Sequence, residues 1–298
     1  MRCVLENRLH FAGKNIFKEF IMKRKAILAI VIMAIMLAPL WAQSEDDFEV
    51  TQNRDNTLTI TNYKGSAKDV VIPGTLYGIR VTAIGREAFQ NKGLTSVVIP
   101  NTVVTIGEDA FNNMWSWKGA SNNFTEVIIP NSVTTIGSSA FYECGITKLS
   151  LGTGVQNIYY QAFSYNKISE LTLPASLKII GDYAFIRNQI KSLTIPNGVT
   201  LVSMRAFTDN PLETLVIPAS LAAERTNRTG LFPEVFEQSN EYGMHTGNKT
   251  LTRITMPANM VDRVLDSLGF EDSFVNFYKS QNKAAGTYVK NGPIWRRQ

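Results

Sequence analysis

Val97–Asn113 reads VVIPNTVVTIGEDAFNN, and Val127–Glu143 reads VIIPNSVTTIGSSAFYE. The shared frame returns along the chain, with prolines at 73, 100, 130, 174, 196, 218 and 257, and with Gly152 in the same place between 130 and 174. The intervals from 130 to 218 are 22 residues each, and the intervals of 27, 30 and 39 residues elsewhere hold insertions. A fixed period is the signature of a stacked, repetitive architecture and takes precedence over any local reading.

The apolar rows explain why each unit folds as it does. One residue before the proline stand Ile72, Ile99, Ile129, Leu151, Leu173, Ile195, Ile217 and Met256. Two residues earlier stand Val70, Val97, Val127, Leu149, Leu171, Leu193, Leu215 and Ile254. A spacing of two puts both rows on one face of a short strand, and the proline, with no N–H to donate, ends it. Beyond it run Val103, Val133, Val155, Leu177 and Val199, then Ile106, Ile136, Ile158, Ile180 and Val202. An Ala-Phe pair closes the unit at 88–89, 110–111, 140–141, 162–163, 184–185 and 206–207. Gly85, Gly107, Gly137 and Gly181, just before that pair, are expected to supply backbone freedom. A lone coil has nothing to pack these rows against. Stacked coils cover one another and pair their strands, which is the logic of a solenoid. The expected product is a parallel sheet of about eight pre-proline strands, roughly 35 Å long at about 4.8 Å spacing, with short turns elsewhere.

The frame xxIPxSVxxIGxxAF resembles the BspA-type leucine-rich repeats of bacterial surface and secreted proteins, over residues 67–257. Gly152, Tyr159 in a glycine position and Val202-Ser203-Met204 depart from it mildly. The coil after Pro218 loses both the Ile-Gly and the Ala-Phe signatures, with Phe236 read as its displaced aromatic plug. The resemblance implies a leucine-rich repeat solenoid and an adhesive role, because members of the family bind host matrix proteins or other cells. Insertions fall near 114–123 and 222–250. Residues 44–66 alternate like two strands around Arg54-Asp55-Asn56, which suits a hairpin cap. Residues 258–298 read as a helical cap and tail: Met260–Leu268 is apolar at 260, 261, 264, 265 and 268, a helical spacing. Tyr288–Trp295 reads as a small hairpin or a loose tail.

Formal charge is +5 over 298 residues, but the excess lies at the N-terminus. Met22-Lys-Arg-Lys25, the apolar run Ala26–Leu37 and Ala38–Gln43 make a secretory signal peptide over 22–43, cut near Ala42 or Gln43. Residues 1–21 precede the expected start at Met22 and read as a mis-assigned extension. Of 30 basic and 25 acidic residues, seven and two precede residue 43, which leaves 23 of each. A mature chain so balanced lacks the basic footprint of a nucleic-acid binder. The apolar run is too short for a membrane span, which needs about 20 residues, so none is expected after cleavage. The expected location is secreted or cell-surface, with the periplasm as the alternative.

Catalytic chemistry has little to work with. Past the leader stand one cysteine, Cys144, and one histidine, His245, a hundred residues apart. Cys144 occupies the corner that Asn166, Asn188 and Asn210 hold in other coils, three residues after the phenylalanine. There a side chain bonds loop backbone. His245 reads as a loop residue in a Gly/Asn-rich insertion. Metal-ligand spacing, phosphate-binding glycine loops and nucleophile elbows are missing, so the reading is non-catalytic with no cofactor. Binding is expected on the outward strand positions, among them Ser96, Val98, Glu126, Lys148 and Glu170, whose Glu-Lys-Glu run also suits cross-strand pairing. Trp115 and Trp117 in the first insertion are the other candidates, since exposed tryptophans anchor interfaces. The partners expected are proteins or glycans, of host matrix or of other bacterial cells. The competing reading is an envelope or periplasmic scaffold with no host partner.

Overall fold

The computed structural model describes residues 43–113, 120–222, 230–231, 234–239, 245–246, 248–260, 262–266 and 268–298. Residues 22–42 of the signal segment, Trp115 and Trp117 lie outside them. Most coils contribute two short strands, one more than the frame suggested; the coil of Pro174 has only Ile179–Ile180, with Glu170 in a lone bridge to Lys148. The segment read as a turn makes the longer ladder: Ile79–Ile84, Thr105–Ile106, Thr135–Ile136, Asn157–Ile158, Ile179–Ile180, Leu201–Val202 and Gly230–Leu231 pair in parallel. β-Branched residues dominate these pairs, as a pleated, half-buried surface favours. Phe48–Gln52 and Leu58–Tyr63 form an antiparallel hairpin, and its second strand continues this ladder.

The pre-proline ladder is broken into three pieces. Asp69–Val71 pairs with Ser96–Val98, and Glu126–Ile128 with Lys148–Ser150. Ser192–Thr194, Thr214–Val216 and Arg253–Met256 form the third. That last piece is extended by an antiparallel hairpin, Gly286–Asn291 and Ile294–Arg297, so the C-terminal tail is part of the sheet. The cap's main helix is Asp272–Ser280, while the described residues of Met260–Leu268 include the four-residue helical turn Asp262–Leu265. Glu271 ties helix to hairpin by accepting hydrogen bonds from Lys290 Nζ and Trp295 Nε1.

An aromatic spine runs down the interior. Tyr63, Phe89, Phe111, Phe141, Phe163, Phe185, Phe207, Phe236 and Phe270 stack ring on ring, with centroids 4.9–6.1 Å apart. Phe236 does fill the place of the missing Ala-Phe phenylalanine. Phe274 meets Phe270 edge-on at 88° and ends the stack.

Two side-chain ladders fasten successive coils. Asn166 Nδ2 donates to the carbonyls of Phe141 and Phe163 at 2.8 and 3.0 Å, while its Oδ1 accepts from Ile146 N–H at 3.0 Å. Asn188 and Asn210 repeat the pattern one and two coils on. Asn122 takes this corner in the coil enlarged by the first insertion. Cys144 is fully buried, and its thiol donates to Phe111 O at 3.1 Å; burial pushes that thiol well above its usual pKa. A second ladder comes from Ser132, Ser176 and Ser220, whose hydroxyls donate to the carbonyls of Val103, Val155 and Val199.

Backbone freedom is needed elsewhere than the sequence suggested. Gly85, Gly107, Gly137 and Gly181 do not adopt positive φ; instead Glu87, Asp109, Ser139, Gln161, Tyr183 and Arg205, each one residue before the alanine, have φ of 51–59°. A side chain there costs about 1–2 kcal/mol, a strain the packed spine outweighs. What Gly137 provides is closeness: a Cβ on it would lie 2.6 Å from Gly107 C and 2.7 Å from Glu108 N. Gly152 replaces proline for the same reason, since a Cβ there would lie 2.4 Å from Pro130 O. Gly137→Ala is therefore expected to cost about 1–3 kcal/mol by overpacking, a fall of roughly 3–10 °C in melting temperature for a chain of this size. Gly74→Ala, whose nearest neighbour is the Thr102 methyl at 3.3 Å, serves as control. Equal melting temperatures for the two variants would contradict the close-approach account.

Candidate binding surface

The pre-proline strands turn two rows of side chains outward, because the residues between them are buried by the coil's interior. The row two residues before the proline begins apolar, with Val71, Val98 and Ile128 at 56, 55 and 60% exposure. It then changes to Ser150, Thr172 and Thr194. Val71 and Val98 are cross-strand partners. The row four before the proline runs Asp69, Ser96, Glu126, Lys148 and Glu170, all exposed.

The five described candidates thus share one face, but in different states. Ser96 Oγ donates to Asp69 Oδ1 at 2.7 Å, and Thr95 Oγ1 does so at 2.8 Å. These two hydrogen bonds, Ser96's first, hold the Asp69 carboxyl below its usual range. Glu126, Lys148 and Glu170 are aligned in register across neighbouring strands. Register sets Lys148 between the two carboxylates as their cross-strand neighbour, and among the described residues no ion pair closes the contact. Their charges are turned to solvent.

Two grooves cross this face where the ladder is interrupted. The first, about 610 Å³, spans the break between Ser96–Val98 and Glu126–Ile128. Val98 and Ile128 give it an apolar wall, and Asn101, Glu126, Asn131 and Ser150 give it a polar rim. The second, about 720 Å³, lies between Glu170–Thr172 and Ser192–Thr194, with Lys191 at its edge. The first insertion leaves the coil after Asn113. Its neck is closed by a reciprocal pair: Asn113 Nδ2 donates to Asn122 O at 2.6 Å, and Asn122 N donates to Asn113 Oδ1 at 2.7 Å. Sequence reasoning singled out Val98 but not Val71 or Ile128, which continue its stripe. The hydropathy of the outward row alone, read coil by coil, carries that signal.

Cys144 has no access to solvent, and His245 lies in a two-residue strand, His245–Thr246, paired with Gln238–Ser239. Among the described residues no group of three His, Cys, Asp or Glu side chains converges on a metal-sized site. Among them, too, no helix is long and apolar enough to cross a membrane.

The family model for the BspA type leucine-rich repeat region matches residues 82–119 and 116–227, in six copies. The chain is a BspA-type leucine-rich repeat protein. The terminal hairpins lie outside the matched stretches. Solved structures similar to this BspA-type chain include a Treponema pallidum leucine-rich repeat protein, at 17% identity and a TM-score of 0.42, covering 77% of this chain and 96% of that one. A leucine-rich cell surface protein of Faecalibacterium prausnitzii A2-165 matches at 18% identity and a TM-score of 0.28, over 77% and 93%. The pneumococcal vaccine antigen PcpA matches at 16% and 0.34, over 68% and 66%. No curated protein sequence matches the chain. A BspA-type repeat chain is an interaction protein by architecture, since stacked coils present an extended surface.

Proposed function

We propose that the protein is an exported, non-catalytic adhesion protein that binds a protein partner through the pre-proline face around the first groove. The exposed stripe of Val71, Val98 and Ile128 carries this reading. Contiguous apolar side chains left in water on an otherwise polar face mark interaction sites. The groove beside them offers the desolvated centre where binding energy concentrates. Ser96 and Glu126 line the groove, with Lys148 and Glu170 beyond it on the same face, and together they supply a polar border of mixed sign. Export rests on the signal segment at 22–43, and adhesion to host matrix or to other bacterial cells rests on the family.

The test is solid-phase binding of the protein to a panel of matrix proteins and intact bacterial cells. Val98→Thr combined with Ile128→Ser is the informative variant, because other coils hold Ser150 and Thr172 at these positions and stack normally. Affinity is expected to fall about tenfold or more, with a melting temperature within about 2 °C of the parent. Failure of the parent to bind any member of the panel removes the adhesion reading. Unchanged affinity in the variant moves the site elsewhere.

A further inference from the structure

The pre-proline ladder is closed at some junctions between coils and open at others, and one hydrogen bond separates the two cases. At closed junctions the residue before the proline donates its N–H to the next coil. Ile72 donates to Val98 O, Ile129 to Ser150 O, Ile195 to Val216 O and Ile217 to Thr255 O, at 2.8–3.1 Å. Ile99, Leu151 and Leu173 hold the same place in their coils and make no such bond. Among the described residues, Leu171, Thr172 and Leu173 make no main-chain hydrogen bond at all. Leu171 and Leu173 are nevertheless buried, at 8 and 7% exposure. In folded proteins roughly nine in ten or more buried main-chain groups are paired, so these two call for a cause.

The opening at Ile99 coincides with the first insertion, which stretches that interval to 30 residues. No insertion explains the openings around Leu173. The intervals 152–174 and 174–196 are 22 residues, as are 130–152 and 196–218, where the ladder is closed. The spine is spaced alike: 5.3 Å from Phe163 to Phe185 and 5.4 Å from Phe185 to Phe207, against 5.3 Å from Phe141 to Phe163 at a closed junction. The second ladder runs through in register from Asn157 to Ile179 to Leu201, and Asn188 and Asn210 fasten the corners. The rest of this coil is thus held at the spacing of a closed stack. What differs is the side chain before the proline. Every closed junction has isoleucine there, β-branched and suited to a strand; Leu151 and Leu173 are the leucines of that row.

We propose that Glu170–Leu173 is a switchable strand, which moves between this unpaired position and one hydrogen-bonded along Ser192–Thr194. In the parallel register of the neighbouring pair, Leu171 and Leu173 would donate to Ser192 O and Thr194 O, as Ile195 donates to Val216 O. Pairing draws the two segments together and removes the second groove, which lies between them. The continuous ladder and the aromatic spine serve as the fulcrum, so the core stays packed in both states. The second groove belongs to the open state alone, and a ligand that fills it shifts the population toward that state. The first groove takes no part in this movement.

Amide hydrogen exchange, followed by NMR on the exported protein, tests the switch. Protection at Leu171 and Leu173 should be intermediate, about tenfold or more above that of an unstructured chain and about tenfold or more below that of Ile195. Leu173→Ile, which installs the residue of the closed junctions, should raise protection at Leu171 and Thr194 by about fivefold and leave Ile129 and Ile217 unchanged. The proposal is overturned if Leu171 and Leu173 are as protected as Ile195, which would mean a strand that never leaves its partner. It is equally overturned if they are unprotected, which would mean a strand that never finds one, or if Leu173→Ile changes neither Leu171 nor Thr194.

Discussion

Phe163→Ala is expected to lower the melting temperature by about 6–20 °C, among the largest effects of any single truncation in the chain. Phe163 is fully buried, with Phe141 and Phe185 each 5.3 Å away and nearly parallel to it. Truncating a buried phenylalanine costs about 3–5 kcal/mol, and in a chain of this size each kcal/mol moves the midpoint by about 2–4 °C. A solenoid adds a distinctive consequence. Stability is a sum of nearest-neighbour terms, so a gap in the middle of the spine weakens the coupling between the two halves. The unfolding transition should broaden or split, and amide exchange should accelerate in the coils on either side before the ends. Phe48→Ala, at the N-terminal end of the stack, should shift the midpoint less and leave the transition sharp. A single sharp transition with a shift under about 2 °C for Phe163→Ala would rule out the spine as the main source of cohesion.

Asn188→Ala is expected to cost nearly as much, about 3–5 kcal/mol, though it removes little volume. It strips hydrogen-bond partners from Phe163 O, Phe185 O and Ile168 N–H, main-chain groups that all lie inside the stack. Each buried group left unsatisfied costs about 1–3 kcal/mol, with losses that are less than additive. Asn188→Asp should be at least as damaging at neutral pH, because it sets a carboxylate against two carbonyl oxygens. Cys144→Ala, at the same corner of an earlier coil, loses one thiol hydrogen bond to Phe111 O and should cost only about 1 kcal/mol. Urea unfolding of the three variants separates the cases. If Asn188→Ala and Cys144→Ala destabilise alike, the corner asparagines are fillers rather than fasteners.

The solenoid was legible because its causes repeat. Rows such as Ile99, Ile129 and Ile195, and the Ala-Phe pairs, recur at fixed spacing, and period alone identifies a stacked core. The second ladder was hidden because Thr105-Ile106 and its equivalents are two residues long. A strand that short has no alternation to read, and only its neighbours give it partners. Glycine misled for a related reason. Gly137 looks like a residue chosen for its own torsion angles, whereas it is small because Gly107 lies against it in the preceding coil. The C-terminal cap was read in outline only. Met260–Leu268 has helical spacing, yet the longer helix is the more polar Asp272–Ser280, held by the burial of Phe274, Val275 and Tyr278 under the terminal hairpin. On the binding face, Val98 and the charged row were visible as outward positions. The breaks in the ladder that shape the grooves depend on pairing between coils, which single-coil spacing does not report.

The corner asparagines and the serine ladder share a polarity. Asn166 reaches Phe141 and Ile146, Asn188 reaches Phe163 and Ile168, and Ser176 reaches Val155. In every case the later coil's side chain meets backbone of the coil before it. A chain emerging N-terminus first, from a ribosome or across a membrane, thus brings each of these side chains to a template that has already been made. The same polarity makes the first coil special, since it has no predecessor to lean on. The Phe48–Tyr63 hairpin stands where that predecessor would be, a seed laid down before the first repeat arrives.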